Sequence, residues 1–273
     1  MGGMDNWKGL SRKINVVDVG RIVTHSDGVL RVLKDVNIHA SEGEIVTLIG
    51  PSGCGKSSLL NIIAGLDDPD EGFVSVCVQG NHLVEARTRL GEVGYMLQKD
   101  LLLPWRSVKE NVLLGLEIKG IPRRDALRMA SKEMADFGLE GFEDELPFTL
   151  SGGMRQRAAF LRTMLTEPEI LLLDEPFSSL DALNRSHIQE WLLGILEGEN
   201  RTVVMVTHDV DEAIFLSDRI YVMSPRPGSI LTVESVPFSR PRDRKIIMDP
   251  CFLRLKSQIL SNLIEKPRDG GSS

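Results

Sequence analysis

The sequence predicts an α/β fold in which a mostly parallel sheet carries helices on both faces. Residues 170–173 and 202–207 form two strongly apolar runs, which is typical of strands buried on both faces of a sheet. Segments with helical apolar spacing, residues 154–165 and 182–197, alternate with these runs. A third apolar run, residues 44–49, leads into a glycine-rich loop and another helix. Strands that alternate with helices favour parallel pairing through crossover connections.

Composition and charge limit the classes of protein that this chain can represent. Its 273 residues suffice for one large or two small domains. The net charge of −7 gives no basic footprint, so we expect no nucleic-acid partner. The three cysteines have neither metal nor disulfide spacing, which suits a reducing compartment. Residues 1–13 lack the apolar core of a signal peptide, and no apolar run approaches the roughly 18 residues that span a bilayer. We therefore expect a soluble chain that reaches a membrane only through a partner.

The glycine-rich loop at residues 50–57 matches the phosphate-binding pattern G-x-x-x-x-G-K-[ST]. Glycines let backbone N–H groups turn inward toward an anion, and the helix that follows adds its positive N-terminus. In this pattern Lys56 reaches the β- and γ-phosphates, and Ser57 ligates Mg²⁺. The alternative is an ordinary glycine-rich turn, although a chance match in a chain this long has odds on the order of 1%. The predicted nucleotide-binding residues are Gly50, Pro51, Ser52, Gly53, Cys54, Gly55, Lys56, Ser57 and Ser58.

Further strands are predicted on both sides of this loop. Residues 14–19 and 29–38 are predicted as strands that flank a turn at residues 25–28. Residues 73–78 alternate like a strand, and residues 93–98 form a short strand that ends on a polar amide.

A helical segment follows the last of these strands. Ser107 is a good N-cap, and Glu110 completes a capping box with it. A second helix is predicted to start with Pro122 at its first position and to end at Gly138. We expect these helices to form a lobe inserted into the α/β core, followed by an acidic, irregular return at residues 140–149.

Four polar side chains follow directly on predicted strands, at the carboxyl ends where ligands of such sheets bind. Asp174 is placed to hold Mg²⁺, and Glu175 can polarise an attacking water. His208 is expected to bond the γ-phosphate or that water, and Gln98 can contact Mg²⁺ or water. The alternatives are a solvated acidic turn for the carboxylates and a structural role for the histidine. For Gln98, spacing alone favours neither this contact with Mg²⁺ or water nor a role without function.

The segment Leu-Ser-Gly-Gly-Met-Arg-Gln-Arg at residues 150–157 predicts a second helix N-terminus suited to an anion. Ser151 can cap the helix, and Gly152 and Gly153 allow a close backbone approach. Since the first loop already serves one nucleotide, this element makes sense if it closes on a nucleotide held by another copy. The alternative is a serine-capped helix with a glycine-rich entry.

Taken together, these motifs resemble those of ABC transporter ATP-binding subunits. The shared elements are GPSGCGKSS at 50–58, Gln98, LSGGMRQR at 150–157, ILLLDEP at 170–176, SSLD at 178–181 and His208. The resemblance implies a P-loop NTPase core with a mostly parallel sheet, an N-terminal antiparallel β subdomain and an inserted ABC-type α-helical lobe. It implies Glu175, His208 and Gln98 as catalytic residues, with Ser57, Gln98 and Asp174 at Mg²⁺. It also implies a dimer, of identical or paired subunits, that holds two ATP molecules. In that dimer Ser151, Gly152 and Gly153 contact the partner's nucleotide, and Asp181 lies at the seam.

Residues 102–108 and 223–228 resemble the nitrate/sulfonate/taurine importer group more narrowly. In that group the helical lobe receives a membrane permease, which makes Trp105 a candidate docking contact. Its alternative is a core aromatic of the lobe. One position departs from the family, which usually has an aromatic ring to stack on adenine. That position falls near Val23 here, and His25 carries the nearest ring.

The resemblance implies a domain plan and a function. We expect a flexible leader at residues 1–12, an ATP-binding domain at 13–240 with its lobe at about 99–160, a helical extension at 241–266 and a flexible tail at 267–273. Asp249 is predicted to cap the helix of that extension. The expected function is to energise an importer of a small anionic solute, or one like a sulfonate or nitrate, at the cytoplasmic face of the membrane, with a solute-binding protein acting indirectly. The alternatives are a soluble ATPase of the same class in repair or translation, and a regulatory module without turnover.

Overall fold

The computed structural model describes residues 12–25, 28–78, 82–85, 89–199 and 201–264. The strands in these ranges are β1 (Arg12–His25), β2 (Gly28–Ser41), β3 (Ile45–Ile49), β4 (Glu71–Val78), β5 (His82–Glu85), β6 (Gly94–Met96), β7 (Ile170–Asp174), β8 (Thr202–Thr207), β9 (Arg219–Met223) and β10 (Ile230–Ser235). The α-helices are α1 (Lys56–Ala64), α2 (Val108–Ile118), α3 (Arg123–Asp136), α4 (Gly152–Met164), α5 (Ala182–Glu199), α6 (Val210–Leu216) and α7 (Pro250–Ile264). Short 3₁₀ helices cover Pro147–Thr149 and Arg244–Met248. None of the helices in the described ranges has both the length and the apolar character that crossing a bilayer requires.

A six-stranded, mostly parallel sheet forms the centre of the molecule, in the order β10-β9-β3-β8-β7-β6. Every residue of β3, β7 and β8 is buried, because helices cover one face and a second sheet with α1 covers the other. This confirms the predicted α/β class. Since these strands run parallel, their carboxyl ends meet at one edge of the sheet, and the loops that follow them lie close together.

The second sheet is antiparallel and has the order β2-β1-β4-β5. Its apolar face packs on α1 and on the central sheet in one buried cluster that includes Leu33, Leu60, Val76 and Leu172. The predicted N-terminal antiparallel subdomain is therefore present. It brings β1 and β2 beside the glycine-rich loop that joins β3 to α1.

Helices α2, α3 and α4 form the predicted lobe on the opposite face of the central sheet. The capping box is confirmed, since the Ser107 hydroxyl accepts the Glu110 N–H and the Glu110 carboxylate accepts the Ser107 N–H. The lobe joins the core through an aromatic cluster in which the rings of Phe137 and Trp191 meet edge to face, 4.4 Å apart. This contact ties the C-terminal end of α3 to the middle of α5.

Several predicted boundaries differ from the structure. Strands β1 and β2 are longer than expected, and Arg12 already belongs to β1 rather than to a leader. Pro122 is the N-cap of α3 and not its first helical residue, and that helix stops before Gly138. Strands β5 and β10 were not predicted; both are short edge strands, and each pairs with the strand just before it in the chain, β4 and β9 respectively. The rest of the leader, the tail and the middle of the predicted turn at 25–28 lie outside the described residues.

The C-terminal extension is anchored to the core by buried polar contacts. The Arg242 guanidinium donates to the Phe215 and Ser217 carbonyls and pairs with Asp218 at 3.1 Å. Helix α7 packs its apolar face, including Phe252, against α6 and β9. Asp249 accepts the Cys251 N–H at 2.7 Å, as expected of a cap. The extension therefore fixes the back of α6, the helix that follows His208.

Candidate nucleotide site

The glycine-rich loop turns tightly between β3 and α1. Gly55 has φ 108°, and a Cβ atom at this position would lie 2.6 Å from a methyl carbon of Leu33. Both the backbone conformation and the lack of space therefore require glycine here. Because Gly55 offers no side-chain cap, the first N–H groups of α1 remain available to a ligand.

Lys56 is held within the same loop. Its side-chain Nζ donates to the carbonyls of Gly50 at 2.7 Å and Pro51 at 2.9 Å, and the residue is only 6% exposed. The Cys54 thiol is also buried, with its Sγ 3.8 Å from Nζ. The loop thus places the Lys56 ammonium group next to the uncapped N-terminus of α1, an arrangement that favours a polyanionic ligand.

A pocket of about 430 Å³ opens beside this loop. It combines loop residues, apolar residues of the antiparallel sheet and polar residues from the sheet edge. Its lining residues are Val23, Leu30, Val32, Ser52, Gly53, Gly55, Lys56, Ser57, Ser58, Gln98, Glu175 and Arg226. Six of the nine predicted nucleotide-binding residues line it, whereas Gly50, Pro51 and Cys54 shape the loop from behind.

Three predicted catalytic side chains converge next to this pocket. The Gln98 amide donates to Glu175 Oε2 at 3.1 Å, and His208 Nδ1 lies 3.6 Å from the same oxygen. Glu175 has φ 48°, a conformation rarely used by residues other than glycine, and its N–H is fixed to the Val206 carbonyl at 2.9 Å. The neighbouring strand β8 therefore determines where the Glu175 carboxylate lies.

Asp174 ends β7 and is 3% exposed. Burial raises the pKa of this carboxyl group, whereas a hydrogen bond with the Ser57 side chain lowers it. Its Oδ1 atom is buried without a hydrogen-bond partner. An orphaned carboxylate oxygen beside a serine hydroxyl is the donor set expected of a Mg²⁺ site. In the described part of the chain, no three His, Cys, Asp or Glu side chains form a cage, so phosphate oxygens and water would complete the coordination.

The predicted partner contacts lie elsewhere. Ser151 caps α4 by accepting the Met154 N–H at 3.3 Å, and both Ser151 and Gly152 are exposed. Asp181 is also exposed, and hydrogen bonds from Asn184 lower the pKa of its carboxyl group. Neither these residues nor Gly153 line the 430 Å³ pocket.

Three pocket residues were not predicted as site residues, namely Leu30, Val32 and Arg226. The Arg226 guanidinium donates twice to the Gly53 carbonyl, at 3.0 and 2.7 Å, and so braces the loop from a segment 173 residues away. The sequence signal was present, since Arg226 belongs to the segment 223–228 that resembles the importer group. Val23 lines the pocket as expected, and the side chain of His25 lies outside the described residues.

Comparison with known proteins identifies the family. A family model described as "ABC transporter" matches residues 33–178. The chain is 44% identical to an ABC transporter ATP-binding protein of Methanocaldococcus jannaschii over 251 residues, 92% of this chain and 91% of the relative. It is 40% identical to an aliphatic sulfonates import ATP-binding protein of Bacillus anthracis over 248 residues, 90% of this chain and 94% of the relative. A counterpart from Pseudomonas savastanoi pv. phaseolicola is 44% identical over 232 residues, 85% of this chain and 90% of the relative.

Solved structures agree with these sequence matches. The fold is similar to that of a dimeric bacterial ABC transporter cassette, with a TM-score of 0.74 and 30% identity over 83% of this chain and all of that one. A dimeric cassette in a post-hydrolysis state with ADP and phosphate gives a TM-score of 0.73 at 30% identity, with the same coverage.

The chain belongs to the ABC transporter family. It is an ATP hydrolase of the transport-coupled kind, and the expected resemblance to the sulfonate importer group is confirmed.

Proposed function

We propose that this protein binds ATP with Mg²⁺ and hydrolyses it as the energising subunit of an importer for aliphatic sulfonates or similar small anions. The observation that carries the hydrolytic part is the convergence of Gln98 and His208 on one carboxylate oxygen of Glu175. The solute class is supported by the relatives from Bacillus and Pseudomonas, which are described as aliphatic sulfonate import proteins.

The same observations weigh against the alternatives. A regulatory module without turnover has no need of a carboxylate, an amide and an imidazole brought together beside a phosphate loop. A soluble ATPase in repair or translation is not favoured, because several relatives matched over most of their length are described as import ATP-binding proteins.

Binding rests on the loop and on the helix that follows it. Lys56 and the N–H groups of α1 face the β- and γ-phosphates, where the helix dipole adds to the lysine charge. The apolar side chains of Val23, Leu30 and Val32 offer the base an aliphatic surface rather than an aromatic ring.

Hydrolysis rests on Glu175. Its carboxylate takes a proton from a water molecule as the water oxygen bonds to the γ-phosphorus, and the bond to the β–γ bridging oxygen breaks to leave ADP and phosphate. Gln98 orients Glu175 and the water, and His208 donates a hydrogen bond toward the γ-phosphate. These contacts hold Glu175, the proton acceptor, in position before the reaction starts.

Mg²⁺ fits the donor set described above. Ser57, Gln98 and Asp174 would hold it, with Asp174 acting directly or through water. When bound, the ion neutralises charge on the phosphate oxygens.

A second subunit, identical or paired, would complete the site. We propose that Ser151, Gly152 and Gly153 of one chain close on the nucleotide held by the other, with Asp181 at the seam. Support comes from the exposure of Ser151, Gly152 and Asp181, and from the dimeric state of the similar cassette in both of its structures.

A membrane permease would dock on the helical lobe near Trp105. This side chain is 73% exposed, which excludes the alternative of a core aromatic, and Phe148 in the same lobe is 74% exposed. Large apolar side chains exposed on one lobe favour a protein partner. The protein would then lie peripherally on the cytoplasmic face of the membrane, and a solute-binding protein would act only through the permease.

The test is Glu175→Gln in the purified chain. The amide keeps the size of the side chain but cannot accept the proton, so kcat should fall by about 10²- to 10⁴-fold while ATP binding persists. Phosphate release and calorimetric ATP titration measure the two effects. The variant should also accumulate as an ATP-bound dimer on size-exclusion chromatography.

Glu169→Gln is the matched control. Glu169 precedes the opposite end of the same strand, where it pairs with Lys13 at 3.1 Å. This variant should hydrolyse ATP at the parental rate. If Glu175→Gln does so as well, Glu175 is not the proton acceptor.

A further inference from the structure

The residues on both sides of His208 are fixed by one hydroxyl group. Thr207 Oγ1 donates to Glu212 Oε2 at 2.7 Å and accepts the Asp209 N–H at 3.1 Å. Asp209 in turn caps α6 by accepting the N–H groups of Asp211 and Glu212. His208 itself is exposed, so its direction depends on how firmly these neighbours are held.

Glu212 is the acceptor on which this arrangement depends. It is 8% exposed, and burial raises the pKa of its carboxyl group. Besides Thr207, it accepts a hydrogen bond from Gln189 Nε2 at 3.2 Å and lies 3.6 Å from Arg185 Nε. A carboxylate is costly to bury, and this one is kept where several donors meet.

Arg185 connects this carboxylate to the loop that carries Asp181. Its guanidinium donates to the Leu180 carbonyl at 3.1 Å, and its backbone N–H bonds to the Asp181 carbonyl at 2.9 Å. The same guanidinium lies 3.8 Å from the Asp209 carboxylate. The predicted partner-facing loop and the His208 loop are therefore joined through one side chain.

The network also extends to the C-terminal extension. Arg244 donates to Gln189 Oε1 at 2.7 Å, and its guanidinium lies 5.2 Å from the ring centre of Phe215 on α6. Gln189 is 4% exposed, so it is held between Arg244 and Glu212 in a single orientation. Side chains from three separate segments thus support the same carboxylate.

We propose that Glu212 is a positioning residue for ATP hydrolysis, holding residues 207–209 so that His208 points at the reacting phosphate. The proposal rests on the role given to His208 above. Glu212 lines a small pocket next to Glu175 and His208 but does not line the nucleotide pocket itself. It therefore acts on the rate through His208 and leaves the affinity for ATP unchanged.

A double-mutant cycle in the full chain tests this, with Glu212→Gln, His208→Ala and the double variant. Glu212→Gln should lower kcat about tenfold, with the calorimetric Kd for ATP within about twofold of the parent. In the His208→Ala background, Glu212→Gln should change kcat by less than about twofold, because the histidine that it positions is gone.

Asp211→Asn is the matched control. Asp211 lies in the same turn of α6 and pairs with Lys256 at 2.8 Å, away from Thr207. It should keep the parental kcat. If Glu212→Gln does not fold, Thr207→Val removes both hydrogen bonds of the hydroxyl and enters the same cycle.

The outcomes separate the positioning role of Glu212 from the catalytic role of His208. An equal loss of kcat in both backgrounds overturns the positioning role and leaves His208 catalytic. A His208→Ala protein with the parental kcat overturns both the role of His208 and the inference built on it. A loss that disappears in the His208→Ala background supports the positioning role.

Discussion

In the described residues, two helix N-termini are suited to an anion, and they differ in their caps and in their surroundings. Helix α1 follows Gly55 without a side-chain cap and opens into the 430 Å³ pocket. Helix α4 follows Ser151, whose hydroxyl caps it, and both Ser151 and Gly152 are exposed. One N-terminus is thus uncapped and opens into a pocket, and the other is capped by an exposed serine.

The difference indicates how each helix meets its ligand. An uncapped start leaves its N–H groups to the phosphates, and the buried Lys56 contributes a positive charge. A capped start satisfies one N–H internally and keeps a hydroxyl on the surface. We infer that α1 holds a nucleotide within its own chain and that α4 approaches one held elsewhere. Each prediction below tests one side of this comparison.

The largest effect is expected on the α1 side. Lys56→Ala removes the charge that faces the phosphates, and ATP binding should weaken by about 100-fold, or ~3 kcal/mol. Lys34→Ala, at an exposed lysine of β2, is the matched control and should bind ATP like the parent. Calorimetric titration measures both. Equal affinities in the two variants would contradict the phosphate-loop assignment.

A smaller effect is expected on the α4 side, and it should fall on turnover rather than on binding. Ser151→Ala removes a cap worth about 1 kcal/mol and a hydroxyl offered to the partner's nucleotide, so kcat should fall about tenfold at unchanged Kd. Ser107→Ala removes the equivalent cap of α2, in which the Ser107 hydroxyl accepts the Glu110 N–H at 3.2 Å. Comparable melting temperatures but different kcat values would support the partner contact. Equal kcat values in the Ser151→Ala and Ser107→Ala variants would mean that Ser151 only caps its helix.

The smallest effect concerns the base. Val23 itself offers no ring for adenine to stack on, so ATP and GTP should bind within about tenfold of each other, ~1.4 kcal/mol. Val23→Tyr should tighten ATP binding about tenfold, since stacking on a base is worth roughly 1–3 kcal/mol. Val29→Tyr, at a valine on β2 that is 71% exposed, controls for the added ring. A parent protein that prefers ATP by far more than tenfold would mean that another group reads the base, and His25→Ala would then test that histidine.

The sequence by itself determined the elements whose chemistry is local. Three features act through neighbours in the chain. Gly55 adopts φ 108°, Ser107 stands three residues before Glu110, and strands such as β8 are buried along their whole length. These features predicted the phosphate loop, the capping box of α2 and the buried centre of the sheet. The polar residues at the strand ends could be assigned to one edge of the sheet, because parallel strands end together.

Only the tertiary structure decided which side chains meet. Gln98 and Glu175 are 77 residues apart, and Arg226 and Gly53 are 173 apart, so no local pattern fixes their contacts. The network around Glu212 was likewise beyond prediction. It depends on which distant segments pack together, and that is fixed by the shape of the whole core rather than by the spacing of residues along the chain.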